Sequence, residues 1–205
     1  MAIQHARAAE IEALALAARN GWPEDLRVLM ERYPREQWDT HANLGDMARF
    51  WLSRHAMFRE LSVAIGGITS AFRAEQLTPV EFARQFVPRL QFLLNQLDAH
   101  HQIEDLHYFP IFRAADARLS LGFDVLEGDH HHIHDGMACT ADAANALLRA
   151  LQAGGEELSR LSEDYADAST TLLKMLVRHL DDEEDLIVPL ILDRGEEALG
   201  VAHHW

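Results

Sequence analysis

Apolar residues recur at helical spacing along almost the whole of this chain, while the alternation of β-branched residues that marks strands is scarce. Such a pattern predicts helices that each bury one stripe. The first long helix covers about 40–74, with Met47, Trp51, His55, Phe58, Ser62, Ile65 and Phe72 on its stripe. The segment EQLTPVE then stops the pattern and restarts it: Thr78 can cap, Pro79 takes the first helical position and Glu81 completes a capping box. The second helix carries Leu90, Leu93, Leu97, His100, Glu104, Tyr108 and Ile111 and fades near RAADARLSLG. The third starts around 119–123, carries Leu126, His130, Ile133, His134, Met137, Ala141 and Leu148, and ends at Gly154-Gly155. The fourth spans about 156–193, with Leu161, Tyr165, Leu172, Met175, His179, Glu183, Ile187 and Leu190 facing inward. Pro110 and Pro189 fall late in their helices, where proline kinks or tightens the turn.

Long helices with short connections make sequence neighbours into antiparallel spatial neighbours. The predicted fold class is therefore all-α: an up-down-up-down four-helix bundle over residues 39–195, an N-terminal helical extension over 1–38 and a C-terminal tail over 196–205. The extension is broken at NGWPED and near RYPRE, and would pack on the bundle or on another subunit. With 205 residues, 48% of them hydrophobic, the chain suits one compact domain with an appended segment. A net charge of -15 without any basic cluster argues against nucleic acid as a partner. Glu10 and Glu12 interrupt the Ala-rich start, so it lacks the apolar stretch of a secretory signal, and no apolar run reaches the roughly 18 residues of a membrane span. The expected location is cytoplasmic. The lone Cys139 excludes an internal disulfide framework and an all-thiolate metal site, and reads as a small packed side chain.

Two stretches repeat one layout. HHQIEDLHYFP (100–110) and HLDDEEDLIVP (179–189) each give a His, a Glu four residues on, a further acid, and a proline ten positions after the His. Residues four apart stack on one helix face, so the His and Glu of each pair converge; His130 and His134 have the same relation. With His55, the polar groups interrupting the four stripes are His55, His100, Glu104, His130, His134, His179 and Glu183. Counted from the intervening turns at about 1.5 Å per residue, all seven fall within roughly one helical turn of a common level. Two carboxylates and five imidazoles in one buried layer are costly to desolvate without a cation. The neighbouring acids Asp105, Asp181, Asp182, Glu184 and Asp185 read mostly as a solvated helix face, and His5, His203 and His204 lie near the ends, where ligands are rarely built. The set exceeds what one tetrahedral zinc can use, and calcium would want oxygen donors. If both carboxylates and one oxo or hydroxo group bridge two octahedral ions, a single position stays open on the ion with fewer histidines. Imidazole with carboxylate suits iron, and manganese is compatible with the same donors.

The stretches RHAMFREL around His55, HHQIEDLHYFP, GDHHHIHDGM and HLDDEEDLIVP, in this order over about residues 40–193, resemble the hemerythrin family and its bacterial HHE cation-binding branch. The resemblance implies two iron ions, oxo- or hydroxo-bridged, in a four-helix bundle, with manganese or zinc as substitutes. It implies His55, His100, His130, His134 and His179 as nitrogen ligands and Glu104 and Glu183 as bridges. In hemerythrin proper the last carboxylate lies five positions after its His; here Glu184 holds that place, so Glu183 and Glu184 compete, and Glu183 matches Glu104 in the repeat. His131 and His132 permit a shifted register, His107 lies a turn beyond Glu104, and His41 is about two nanometres along the axis from His55. The implied partner is a small ligand such as dioxygen, nitric oxide or peroxide, with no nucleic acid or membrane involved and a homodimer left open. The implied function is binding or sensing of that ligand at an open iron position, with an apolar wall from Trp51, Phe58, Ile133, Met137 and Leu176. The alternative is a di-iron enzyme acting on peroxide, nitric oxide or ferrous iron in stress defence or iron handling. No pocket acid or redox cysteine is evident near the site for turnover, which favours binding.

Overall fold

The computed structural model describes residues 2–153 and 157–202, which form helices joined by turns and irregular stretches, with no strand among them. Eight α-helices follow in order: α1 (Ala2–Ala13), α2 (Val28–Arg32), α3 (Asp46–Arg73), α4 (Pro79–Ile103), α5 (Phe109–Ala115), α6 (Ser120–Ala153), α7 (Leu158–Arg194) and α8 (Glu196–Leu199). Short 3-10 turns occur at Glu24–Leu26, Arg35–Thr40 and Ala117–Leu119, and a π-helical turn at Glu104–Tyr108 joins α4 to α5. The expected stop at Gly154-Gly155 lies outside the described residues. No helix among the described residues is long and apolar enough to cross a membrane.

The chain divides into two compact units, and α3, α4, α6 and α7 contribute residues to both. One unit comprises 56–100 and 131–177. Its core is built on aromatic stacking: Phe72 on Phe82 (4.4 Å between centroids), Phe82 on Phe86 (4.6 Å) and the edge of Tyr165 on Phe86 (4.9 Å). The capping box forms as the sequence predicts, with Thr78 N–H donating to Glu81 Oε2 (2.9 Å) and Glu81 N–H donating to Thr78 Oγ1 (3.3 Å). Cys139 is exposed on α6 rather than packed, because the buried positions there run Ile133, Met137, Thr140, Ala144 and Leu147 and residue 139 lies off that stripe.

The other unit comprises 1–55, 101–130 and 178–205. Its core joins Trp22, Leu26, Leu29 and Trp38 of the N-terminal segment to Met47 and Trp51 of α3, Phe109 and Phe112 of α5, Phe123 and Leu126 of α6, and the C-terminal part of α7. A Cβ on Gly122 would lie 2.6 Å from Leu186 Cδ2, so a larger residue there would require the Leu186 side chain to shift. Beyond α7, Gly195 turns the chain with φ 82° and returns Glu196 to the start of α3. The buried Glu196 carboxylate there accepts from Ala48 N–H (2.8 Å) and Met47 N–H (3.3 Å), two donors that have no partner within the helix. The end of α7 is buried on nearly every side from His179 to Leu192, because the N-terminal segment covers its outer face.

Candidate metal centre

Side chains that could hold a metal gather in the second of these units. His101 of α4, His130 of α6 and His179 of α7 form one buried group whose ligand atoms lie within 4.8 Å of one another. The ring of His101 stacks on that of His130 (3.9 Å, 9° between planes). The Nε2 atoms of His130 and His179 face each other at 3.2 Å. Two donors in adjacent positions on one cation, with bonds of about 2.1 Å, stand about 3 Å apart. The spacing thus suits a shared metal ion.

His55 of α3, Glu104 of the π turn and Glu183 of α7 form the second group of this unit, all buried and with ligand atoms within 4.8 Å of one another. His100, also buried, immediately precedes His101 along α4 and is counted with the other unit. The two carboxylates face imidazoles of both groups. Glu183 Oε2 lies 3.4 Å from His179 Nε2 and 3.5 Å from His55 Nε2, while Glu104 Oε2 lies 3.7 Å from His130 Nε2. Neither oxygen of Glu183, fully buried, meets a neighbour in hydrogen-bond geometry. Buried acceptors in that condition are costly unless a cation satisfies them.

The far nitrogen of three imidazoles meets a carboxylate. His55 Nδ1 lies 3.0 Å from Glu184 Oε1, His130 Nδ1 lies 2.8 Å from Asp105 Oδ1, and His179 Nδ1 lies 3.4 Å from Asp129 Oδ2. A carboxylate fixes the proton on Nδ1 and aims the Nε2 lone pair inward, which is the arrangement of metal-binding histidines. Trp51 Nε1–H donates to Glu104 Oε1 (2.7 Å), fixing one oxygen of that carboxylate. Burial pushes the Glu104 carboxyl up to about 8; the adjacent Glu183 carboxyl and the Trp51 hydrogen bond pull the other way, and Asp105 adds a repulsive charge. Burial, then the neighbouring Glu104 charge, raises Glu183 well above the ordinary carboxylate range. Burial depresses His130 to about 4 and also lowers His179, so these rings are neutral and available as ligands. For Asp129 burial works upward, but the hydrogen bonds from His179 and Arg19 outweigh it and keep the group ionised.

Aromatic rings close the surroundings: Trp51 lies 4.1 Å from His55 between centroids, Phe109 5.3 Å from His130 and, in the other unit, Phe58 5.2 Å from His100. Trp51 also lines a narrow apolar crevice, without room for a water molecule, together with Met47, Tyr108, Phe112, Ile187 and Ile191. The five wall residues expected from sequence, Trp51, Phe58, Ile133, Met137 and Leu176, are all buried.

Of the seven residues expected from sequence, five fall in the two groups of this unit, while His100 and His134 lie in the other unit. His134 is half-buried and lies 3.7 Å from Asp98 Oδ1 within the other unit. The buried stripe of α6 advances by alternating threes and fours through Leu126, His130, Ile133 and Met137, so residue 134 sits one position off it. In its place the structure brings in His101. The i+4 spacing of Leu93, Leu97 and His101 is the signal that identifies it. Glu184, the competitor of Glu183, faces the outer nitrogen of His55 and pairs with Arg35 (2.9 Å) instead of joining either group. Asp182 and Glu184 are buried, contrary to a solvated helix face, because Arg19 and Arg35 of the N-terminal segment pair with them. The remaining acids of that face, Asp105, Asp181 and Asp185, are half-buried.

The sequence profile of the hemerythrin HHE cation binding domain matches residues 46–191. No match to the chain was found among curated proteins or among solved structures. With most of its length covered by that profile and a buried His/Glu cluster within it, the chain belongs to the hemerythrin HHE cation-binding family.

Proposed function

We propose that this protein holds two iron ions and uses them to bind or sense dioxygen, or a related small ligand such as nitric oxide or peroxide. His101, His130 and His179 would serve one ion, His55 and His100 the other, and Glu104 and Glu183 both. The observation that carries the proposal is the placement of Glu183 Oε2 almost equally far from His179 and His55, at 3.4 and 3.5 Å, so that one carboxylate faces the imidazoles of both groups. Three imidazoles against two leave the His55 side one donor short, and a small ligand could enter there. Iron would supply the electron transfer that captures dioxygen; manganese or zinc could fill the same donors without it.

The chain's own residues would do three things. The outer carboxylates hold imidazole protons away from the centre, Trp51 fixes Glu104, and the aromatic surroundings limit water at the ligand position. We read the four long helices as an up-down-up-down bundle in a cytoplasmic protein without nucleic-acid or membrane partners, and a homodimer is compatible with this function. Protein loaded with ferrous iron without air should develop a visible absorption band on exposure to air and lose it on degassing. Irreversible bleaching would contradict reversible binding, and sustained peroxide consumption would assign the centre to an enzyme instead.

A further inference from the structure

Two four-residue modules of one form precede the region matched by the family profile: Arg19-Asn20-Gly21-Trp22 and Arg35-Glu36-Gln37-Trp38. In each the guanidinium carbon lies 4.9 Å from the ring centroid of the tryptophan three residues on. Each guanidinium also commits three nitrogens to fixed acceptors. Arg19 Nε donates to Asp182 Oδ2 (2.7 Å), Nη1 to the Leu14 carbonyl (2.7 Å), and Nη2 to Asp129 Oδ2 (2.5 Å). Arg35 Nε donates to Asp185 Oδ1 (2.7 Å), Nη1 to Glu184 Oε2 (2.9 Å), and Nη2 to the Asp181 carbonyl (2.9 Å).

The carboxylates they grip are the ones behind the imidazoles. Asp129 faces His179 Nδ1 and Glu184 faces His55 Nδ1. Thus one module serves the three-histidine group and the other the His55 group. We infer that Arg19 and Arg35 are positioning residues for the metal centre, each locking through one carboxylate the tautomer and orientation of one ligand imidazole, so that the N-terminal segment tunes the two metal positions separately. A planar fork stacked on an aromatic ring fixes the rotation of the carboxylate as well as its charge, which an ammonium group cannot do. The fixed carboxylate holds the Nδ1 proton and leaves Nε2 free for a cation. The inference rests on the two-metal reading above.

The test is anaerobic titration of the full-length protein with ferrous iron against a competing chelator, for wild type, Arg35→Met and Arg19→Lys, alongside ring-nitrogen NMR and thermal melts of the metal-free forms. Arg19 is fully buried between two aspartates, so the lysine variant keeps its charge and removes only the fork. Arg35 is 43% exposed, so Arg35→Met should lower metal-free melting only modestly, through loss of its pair with the buried Glu184. Each variant should weaken one of two iron equivalents by about 10- to 100-fold and spare the other. In the NMR spectrum, His55 should be fixed as the Nδ1–H tautomer in wild type and mixed in Arg35→Met. Wild-type iron binding in both variants with an unchanged His55 tautomer would overturn the inference, as would an affinity loss matched by an equal loss of metal-free stability. If wild type takes up no iron while the His55 tautomer still responds to Arg35→Met, the iron reading falls and the positioning role stands.

Discussion

Glu104 and Glu183 set the behaviour of the centre at the scale of single residues. In the metal-free protein burial raises Glu104 from 4.5 to about 8, and Glu183 moves in the same direction. A carboxyl whose folded pKa lies above its unfolded value contributes stability that is complete below the unfolded value and lost as pH rises through the folded one. Metal-free protein should therefore lose melting temperature between pH 5 and about 8 through Glu104, while iron-loaded protein, with both groups already ionised, should not follow. Iron binding at pH 7 should accordingly release protons, read from calorimetry in buffers of different ionisation enthalpy; binding with no proton release would contradict the protonated state. A second pair of variants separates neighbouring histidines. His101→Ala should weaken iron binding by more than the roughly 10- to 100-fold that loss of an outer partner costs, whereas His134→Ala should leave it unchanged in a chelator competition.

At the scale of elements, the π turn accounts for what the sequence conceals. Phe109 N–H bonds to the Glu104 carbonyl five residues back, and Pro110, which has no N–H, follows directly. The extra residue rotates everything after it, so Phe109 and Phe112 are buried where an uninterrupted helix would bury Tyr108 and Ile111. Ahead of the turn, Leu93, Leu97, His100 and Glu104 face the core as their spacing predicts. The stripe of α3 is likewise legible: Met47, Trp51, His55, Phe58, Ser62 and Ile65 are buried and Phe72, at its end, is half-buried. His101 adjoins His100 on a stripe wide enough to bury two neighbouring residues, which i+4 spacing from one of them does not show, and the i+4 spacing of His130 and His134 places residue 134 just off the buried α6 stripe. The buried Asp182 and Glu184 were illegible for a different reason, since their partners Arg19 and Arg35 are about 150 residues away in sequence, as with Arg35 and Glu184 at a separation of 149. Helix ends offer direct measurements. Thr78→Ala should cost about 1 kcal/mol by removing the cap of α4, and Glu196→Ala at least as much at the start of α3, both read from denaturant melts.

For the whole molecule, cations and folding are linked, because a buried set of imidazoles and carboxylates is assembled only in the folded chain. Iron at 100 times its dissociation constant should stabilise the protein by about 2.7 kcal/mol, and a chelator should reverse that gain in a thermal melt. The N-terminal segment is part of the same unit, since Trp22 Nε1–H donates to the Asp182 carbonyl (2.8 Å) beside Glu183. Two metal positions per chain are the central requirement, and anaerobic titration with ferrous iron counts them directly. Saturation is expected at two iron ions per chain, falling when Glu183→Ala removes the carboxylate that faces both groups. Saturation at one ion, or a Glu183→Ala variant that still takes up two with unchanged affinity, would contradict this requirement.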